Sequence, residues 1–407
     1  MTPRIRFKGF TDAWEERKLS ELMIFSNGIN AAKEQYGTGR KMISVMDILT
    51  PGRMKFENIL NSVSVSQDIE EKNLVNSGDL VFVRSSEVTS EVGWAKAYID
   101  SNPALFSGFS IRGKKAASFD SVFVELALNS RGRRQIERQA GGSTRFNASQ
   151  GLLSNIAINM PSEEEQSKIS SMMLQLDNLI AANQRKLDLL KEQKKGYLQK
   201  MFPKNGEKVP ELRFAGFADD WEERKLQEVL RERNNQQPQS MEYPLVSFTV
   251  ENGVTPKTDR YEREQLVVGD KSSKKYKVTV LNDIVYNPAN LKFGAISRNK
   301  YGNAVFSPIY ITFLVNNDVT TPEFIEMFVT RNDFIKRALK YQQGTVYERQ
   351  SVSPTDLLAM NVYLPGKSEQ EKIGSFFQQL DETIALHQRK LDLLKEQKKG
   401  FLQNMFV

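Results

Sequence analysis

The sequence predicts a mixed α+β protein built as a tandem repeat, with two globular domains and two long coiled-coil helices. Three observations predict this class. A long segment occurs twice, and it lies within a pattern in which apolar residues recur at alternating steps of four and three. Between the copies, short β-like runs alternate with turns and helix-like stretches. Together these features indicate two halves of similar architecture.

The repeated segment reads QRKLDLLKEQKKGYLQKMF at 184–202 and QRKLDLLKEQKKGFLQNMF at 388–406. The copies differ at two positions only. Internal repeats are the first feature to establish because they fix the architecture. This spacing corresponds to half of the chain and is too long for a solenoid. We therefore expect two tandem halves, each ending in the same helix.

Each copy continues a longer helical pattern whose apolar seam predicts a coiled coil. The seam positions are Ile169, Met173, Leu176, Ile180, Leu187 and Leu190 in the first half, and Ile373, Phe377, Leu380, Ile384, Leu391 and Leu394 in the second. No proline interrupts either run, so each predicts a helix of about 36–40 residues, about 55–60 Å long. The alternative is two amphipathic surface helices packed on separate domains, although these usually have a wider apolar face.

The amino-acid composition limits the classes of function that the protein can have. A length of 407 residues fits two or three domains, and a net charge of +7 suits a polyanionic partner. No apolar run approaches the length of a membrane span, and the first residues lack the apolar middle of a signal peptide. Zero cysteines exclude thiolate nucleophiles and Cys-based zinc sites, and they fit a cytoplasmic protein. Only one histidine, His387, is present, and its place on the seam favours a structural role.

The aromatic segments that open the two halves also repeat. Residues 6–19 match 213–226, and each contains one tryptophan, Trp14 or Trp221, flanked by phenylalanines. We expect these tryptophans to pack into their own half. Contact with nucleic acid is the alternative, but identical residues in both halves favour identical packing.

The bodies at 20–160 and 227–364 are predicted to be small α+β domains. Strands are expected at Asp79–Arg84, Val278–Leu281, Ile284–Tyr286 and Tyr310–Val315, and helices at Ser121–Ala140 and Pro322–Tyr341. Ser162 and Ser368 are candidate N-caps of the long helices. The predicted segments are 1–160 and 206–365 for the globular domains, and 161–205 and 366–407 for the helices with their linker.

No catalytic motif is complete. Gly366-Lys367-Ser368 ends like a phosphate loop, but position 361, where the first glycine belongs, is Asn361. The Asn287–Asn290 stretch lacks the second proline and the aromatic residue of an amino-methyltransferase loop. Asp79 and Glu87 resemble part of a metal-nuclease site without the acidic and lysine residues that would complete it. We predict neither an active site nor a metal site in this chain.

Candidate DNA contacts are polar and basic residues in the two diverged bodies, since Lys and Arg neutralise phosphates and Arg, Asn, Gln and hydroxyl groups bind base edges. In the first body they are Arg84, Ser85, Ser86, Arg133, Arg134, Ser143, Thr144, Arg145 and Asn147. In the second body they are Lys271, Lys274, Lys275, Lys277, Asn287, Asn290, Lys292, Gln343, Thr345, Tyr347 and Arg349. A solvated surface is the alternative for any single cluster.

The repeated segments and their order resemble the specificity subunit of type I restriction–modification systems. The resemblance rests on the Phe-x-Gly-Phe-x-Asp-x-Trp-Glu-x-Arg-Lys-Leu segment, the Glu-Gln-x-Lys-Ile helix start and the Lys-Leu-Asp-Leu-Leu-Lys helix, each present twice. It covers the whole chain. It implies two target-recognition domains separated by two long antiparallel helices with pseudo-two-fold symmetry.

The resemblance also implies the function and the partners. Each domain would recognise one half of a bipartite site in double-stranded DNA, and the helices would set the spacer and dock two adenine-N6 methyltransferase subunits. Motor–nuclease subunits would join for cleavage. S-adenosylmethionine, ATP and Mg²⁺ would act on those partners, and this chain would hold no cofactor and carry out no catalysis. A stand-alone nucleic-acid enzyme and a coiled-coil adaptor without DNA contact remain the alternative classes.

Overall fold

The computed structural model describes residues 2–142, 144–204, 206–256, 274–344 and 350–406. The chain forms two compact units: Met1–Lys186 with His387–Val407, and Leu187–Leu386. This division passes through both long helices, so it does not follow the predicted boundaries at 160, 205 and 365. Those boundaries stay a prediction about segments of the sequence.

The helices have the following bounds. They are α1 (Leu19–Leu22), α2 (Val45–Leu49), α3 (Gln67–Lys72), α4 (Ser121–Asn129), α5 (Arg133–Gln139), α6 (Gln150–Asn155), α7 (Glu163–Lys200), α8 (Leu226–Val229), α9 (Pro322–Val329), α10 (Asn332–Ala338), α11 (Pro354–Leu358) and α12 (Lys367–Asn404).

The strands of the first half are β1 (Glu15–Lys18), β2 (Met23–Asn27), β3 (Tyr36–Ile43), β4 (Ser62–Val63), β5 (Leu80–Val83), β6 (Ser85–Ser86), β7 (Ala95–Ala97), β8 (Leu105–Phe106), β9 (Ser110–Lys115), β10 (Phe146–Asn147) and β11 (Ala157–Met160). Those of the second half are β12 (Glu222–Lys225), β13 (Leu230–Glu232), β14 (Gln236–Gln237), β15 (Val246–Thr249), β16 (Gly253–Pro256), β17 (Tyr276–Thr279), β18 (Ile284–Tyr286), β19 (Ile296–Arg298), β20 (Ala304–Phe306), β21 (Ile311–Val315) and β22 (Asn361–Leu364).

The two units share one arrangement of sheets. The largest sheet has the order β2-β9-β5-β7 in the first unit and β13-β21-β18-β19 in the second, and both are antiparallel. Each unit also has a ladder between the strand after its tryptophan and the strand before a long helix, β1-β11 or β12-β22. The mixed α+β class and the tandem layout are therefore confirmed.

Apolar runs in the sequence become the central strands. Leu80–Val83 and Ile284–Tyr286 are fully buried, as expected for strands covered on both faces. Each predicted strand is present; Ile284–Tyr286 has the predicted ends, and the ends of the other three differ from the prediction by at most two residues. The four-stranded sheets pack against α4 or α9 in the main cores of the two units.

Both long helices span 38 residues, in agreement with the predicted length. Within the first unit, the end of α12 packs beside the start of α7, because Met405 and Ile169 belong to one apolar core. Within the second unit, Met201 near the end of α7 shares a core with Ile373 near the start of α12. The two helices therefore run antiparallel within each unit.

The seam positions of both helices face the packed side. Ile169, Met173, Leu176, Leu187, Leu190, Ile373, Phe377 and Leu391 are buried, and Ile180, Leu380, Ile384 and Leu394 are half-buried. Exposed charged residues fill most positions between them. This distribution is what a narrow coiled-coil seam requires.

Two predicted helices are each broken in two. Helices occupy both predicted stretches, 121–140 and 322–341, but Ser130 ends α4 and Thr330 ends α9, so each stretch holds two helices and not one. The hydroxyl of Ser130 donates to the carbonyl of Leu126 at 2.7 Å, and that of Thr330 donates to the carbonyl of Glu326 at 2.8 Å. Such bonds offer the helix carbonyl an alternative partner and favour a helix end.

Of the two predicted N-caps, one is confirmed and the other is wrong. Ser162 precedes the first residue of α7, and its hydroxyl accepts a hydrogen bond from the amide of Glu165 at 3.4 Å, which confirms it. Ser368 lies inside the first turn of α12, where the carbonyl of Gly366 accepts from Glu369 and Gln370 instead. That prediction was wrong by two residues.

The aromatic segments anchor the helix starts. Arg6 forms a two-pronged ion pair with Glu165 at 2.7 and 2.8 Å, and Arg213 forms the same pair with Glu369 at 2.7 Å for both bonds. Both glutamates are almost fully buried. The paired carboxylate raises the pKa of each guanidinium. These contacts explain why the repeated motifs include both an arginine and a glutamate.

The tryptophans pack as predicted. Trp14 and Trp221 are buried, and their rings lie 5.5 Å from Phe123 and Phe324 between centroids. The alternative of nucleic-acid contact is excluded by this burial.

Candidate nucleic-acid interface

In the first unit, two predicted polar clusters meet at the end of the central strand. Residues 85–86 follow β5 and pair with 146–147, with Ser86 opposite Phe146 and Ser85 opposite Asn147. The amide of Ala148 donates to the carbonyl of Arg84 at 2.9 Å, which extends the contact. Segments more than fifty residues apart in sequence thus form one surface.

An exposed phenylalanine belongs to this surface and was missed in the sequence. The guanidinium of Arg84 donates to the carbonyl of Gly108 at 3.1 Å. The backbone amide of Arg84 donates to the carbonyl of Phe109 at 2.9 Å. The guanidinium of Arg145 lies 5.9 Å from the centre of the Phe109 ring. We call Arg84, Ser85, Arg145, Asn147 and Phe109 the first cluster; Asn147 and Arg145 are exposed, and Arg84 is half-buried.

The second unit brings together the equivalent segments with different side chains. Pro288 follows β18, and its carbonyl accepts from the amide of Val352 at 3.2 Å. Gln343 pairs with Ser351 on the same loop. Asn290 is exposed beyond this turn, and the Lys292 ammonium lies 5.2 Å from the ring centre of Phe293. We call Asn290, Lys292 and Gln343 the second cluster.

Burial corrects three of the predicted DNA contacts. Arg133 donates to the carbonyls of Thr89 and Val92 and to Glu137, and burial lowers its pKa. Lys277 is buried against Glu232 at 3.1 Å and Asn234 at 3.2 Å. The Asn287 side chain is also buried and accepts from the amide of Ala289. These side chains hold the fold together and are not available to DNA.

The other predicted residues have varied positions. Thr144, Lys274 and Lys275 are exposed, and Ser86 is half-buried with its hydroxyl bonded to Glu91. Arg134 is exposed but lies in a separate groove beside α12. Ser143, Lys271, Thr345, Tyr347 and Arg349 lie outside the described residues.

That groove is rich in lysine and has a counterpart in the other unit. In the first unit it measures about 1070 Å³ and is lined by Arg131 and Arg134 from the body and by the α12 lysines Lys395, Lys398 and Lys399. In the second unit a groove of about 830 Å³ is lined by Lys191, Lys194, Lys195, Arg331 and Lys336. The three lysines from each helix occupy equivalent places in the repeat.

Charged pairs lie beside each groove, and in the first unit they connect the body to a long helix. In the first unit Arg53 pairs with Glu125 at 2.7 Å and with Asp177 of α7 at 3.6 Å, and Lys398 pairs with the same aspartate. Burial raises the pKa of Glu125, and Arg53 opposes that shift. In the second unit Arg298 of β19 pairs with Glu326 of α9 within the body, and Lys194 of α7 pairs with Asp381 of α12. The pairs of the first unit therefore join the body to both long helices, whereas those of the second unit lie within the body or between the helices.

The described residues offer no metal site. They contain no group of three or more His, Asp or Glu side chains placed to hold an ion. Asp79, considered above as part of a nuclease site, is buried and accepts from the amides of Asn76 and Lys115, each at 2.9 Å. The Asp79 carboxylate therefore accepts hydrogen bonds from backbone amides and has a structural role.

Across the described part of the chain, no helix combines the length and apolar character that crossing a bilayer would require.

Comparison with known proteins agrees with this architecture. The family model for the type I restriction modification DNA specificity domain matches twice, at residues 11–192 and 218–396. A type I restriction enzyme specificity subunit, MjaVIII of Methanocaldococcus jannaschii, is 23% identical over 348 residues, covering 81% of this chain and 78% of that protein.

Solved structures show the same fold at low identity. The type I restriction–modification S subunit from M. genitalium aligns with a TM-score of 0.60 and 15% identity over 100% of this chain and 99% of that one. A chain from a study of complex assembly and conformational transition in the type I system aligns with a TM-score of 0.53 and 14% identity, covering 96% and 97%. Since two copies of the family domain account for most of the sequence, the chain belongs to the type I restriction–modification specificity subunit family, whose role is DNA recognition.

Proposed function

We propose that each unit of this chain recognises one half of a bipartite double-stranded DNA site. The observation that carries the proposal is the contrast between the two clusters and the scaffold around them. Both clusters occupy the same place, after the central strand and beside the loop that precedes α6 or α11. Their side chains differ, whereas the Arg–Glu pairs and helices are repeated almost unchanged. One scaffold with two sets of hydrogen-bonding groups suits recognition of two different sequences.

The chemistry of the clusters fits DNA. The guanidinium groups of Arg84 and Arg145 can neutralise phosphates or donate in pairs to guanine. The exposed Asn290 and Gln343 amides each carry a donor and an acceptor, which complement the N7 acceptor and N6 donor of adenine in the major groove, and the Gln343 amide nitrogen also donates to Asp356 at 3.1 Å. The first cluster has two guanidinium groups and the second has one ammonium group, so we expect the first cluster to contribute more than the second to the salt dependence of binding.

The repeated helices are the proposed docking sites for partner subunits. Two equivalent lysine grooves suit two copies of one partner, which we infer to be the adenine-N6 methyltransferase subunit. Motor–nuclease subunits would join this complex for cleavage. S-adenosylmethionine, ATP and Mg²⁺ would bind the partners, and the complex would act on DNA in the cytoplasm. In this proposal the chain itself directs chemistry without performing it.

Exchange of one body tests independent recognition. Replacing residues 20–160 with the corresponding body of another family member should change one half-site and leave the other intact. Sequencing of methylated DNA from cells that express the hybrid with its modification subunit would measure both half-sites. The reciprocal exchange of 227–364 is the matched control and should change the other half-site only. A change of both half-sites in either hybrid would contradict the proposal.

Assays of the purified chain address the two alternative classes. Methylation or cleavage of DNA by the chain alone would support a stand-alone enzyme. Failure to retard a random duplex at low salt, both alone and with the modification subunit, would support an adaptor, because phosphate neutralisation gives even non-specific complexes measurable affinity.

A further inference from the structure

Each unit exposes one large apolar side chain at the same place in its fold. Phe109 in the first unit is 58% exposed, and Ile309 in the second is 60% exposed. Each occupies the tip of a four-residue turn. The amide of Ser110 donates to the carbonyl of Ser107 at 2.9 Å in one, and that of Tyr310 donates to Ser307 at 3.1 Å in the other.

Strand register places both tips beside the candidate clusters. In the first unit Phe82 is opposite Ile111, and the amide of Arg84 donates to the carbonyl of Phe109. In the second unit Tyr286 is opposite Ile311 in the same antiparallel register. Ile309 therefore precedes β21 where Asn287 leaves β18. The two tips have equivalent surroundings in the fold.

Single exposed apolar residues are common on protein surfaces and need no explanation. Phe109 and Ile309 differ from such isolated residues, because both units have an apolar residue at this position although the residue type has changed. The turns read Ser-Gly-Phe-Ser and Ser-Pro-Ile-Tyr, so only the leading serine and the apolar character of the tip are shared. Retained apolar character at an exposed turn next to cationic and amide groups suggests contact with a partner that carries both charge and apolar surface.

We propose that the side chains of Phe109 and Ile309 contact the bases of the half-site bound by their own unit. This inference rests on the function proposed above and adds an apolar contact to it. Duplex DNA offers charged phosphates to Arg84 and Arg145, and the groove between them exposes thymine methyl groups and base edges. Apolar side chains make such contacts, and some enter between base steps. The tip would then contribute affinity that does not depend on salt.

Photo-crosslinking tests where the tips lie. The complex of the full chain with its modification subunits would carry p-benzoylphenylalanine at one position, as Phe109→p-benzoylphenylalanine or Ile309→p-benzoylphenylalanine, and would be irradiated on its specific duplex. The first variant should crosslink to bases of one half-site and the second to bases of the other. Leu60, which is 88% exposed in the first unit and outside the first cluster, is the control position and should give no DNA crosslink.

Alanine variants measure the contribution to binding. Phe109→Ala should weaken specific binding about tenfold or more, since a large apolar side chain loses its contact. The slope of log affinity against log salt should stay unchanged, because no charge is removed. Leu60→Ala should alter affinity less than about twofold, since an exposed side chain outside the first cluster contributes little. Circular dichroism would verify that each variant is folded.

Three results would overturn the inference: crosslinks to the modification subunit, which would assign the tips to protein docking; crosslinks from both tips to one half-site; and equal affinities for Phe109→Ala and Leu60→Ala. If the unaltered complex itself failed to prefer any sequence, the proposed function would fail instead. The two failures are therefore distinguishable.

Discussion

Glu165 and Glu369 link several parts of the fold through one buried side chain each. Each lies in the first turn of a long helix and binds an arginine from the aromatic segment of its own unit. The next residue, Gln166 or Gln370, is also buried and accepts a hydrogen bond from the backbone at the start of α4 or α9. The Glu-Gln pair therefore joins helix, body and aromatic segment.

Removing one partner of the buried pair should destabilise the first unit. We expect Arg6→Ala to lower the free energy of unfolding by about 3 kcal/mol, because it leaves the buried Glu165 carboxylate unpaired. Arg17→Ala is the matched control. The side chains of Arg17 and Glu21 are 40% and 46% exposed, so loss of this pair should destabilise the unit much less than loss of the buried pair. Urea denaturation would measure both, and equal losses would contradict the structural role assigned to Arg6.

Which polar residues are exposed was harder to predict than these scaffold residues. Arg133 and Arg134 are adjacent on α5, yet one is buried and the other exposed, and composition does not distinguish them. Phe109 was missed because apolar residues in a body are expected to be buried. Its position in a turn next to a duplicated Ala-x-Phe-Ser stretch is the signal that could have found it.

At the level of elements, the long helices were predicted from the sequence and the breaks in the shorter helices were not. A seam sustained over many turns determines both the presence and the length of a helix, since every turn must face the same packed side. The breaks at Ser130 and Thr330 depend on hydroxyl groups that bond to helix carbonyls. Their neighbours retain helical periodicity, so the sequence pattern alone did not reveal the interruption.

Charge reversal tests the proposed role of the helices in docking. The double variant Lys395→Glu and Lys399→Glu alters the groove of the first unit. We expect it to weaken binding of one modification subunit at least about tenfold through like-charge repulsion, so that native mass spectrometry shows one copy bound in place of two. Arg389→Glu with Lys390→Glu makes the same change of charge at exposed positions of α12 outside the groove. Identical behaviour of the two doubles would exclude the groove as a docking site.

For the whole molecule, the helices are proposed to set the spacer between the half-sites. Inserting four residues within 187–195 adds about 6 Å of helix, which corresponds to about two base pairs. An insertion that leaves the complex active should therefore recognise half-sites with a spacer longer by about two base pairs. Sequencing of methylated DNA would identify the new site. An active insertion variant with the original spacer would show that another element sets the distance.

The tandem architecture could be predicted because the repeat is almost identical in sequence. The compact units could not, because their limits depend on which halves of the helices pack together. In the first unit, residues 387–407 join residues 1–186. A sequence repeat shows which segments share an origin, whereas a compact unit is defined by which residues are in contact. In this chain the repeated segments and the compact units have different limits.

That packing has a consequence for synthesis on the ribosome. Phe406 lies against Trp14 and Phe123, so the core of the first unit includes side chains made almost four hundred residues apart. The second unit is fully translated once residue 386 has been added. Domains usually fold in the order in which they emerge. In this chain the first unit to begin translation is the last to be completed.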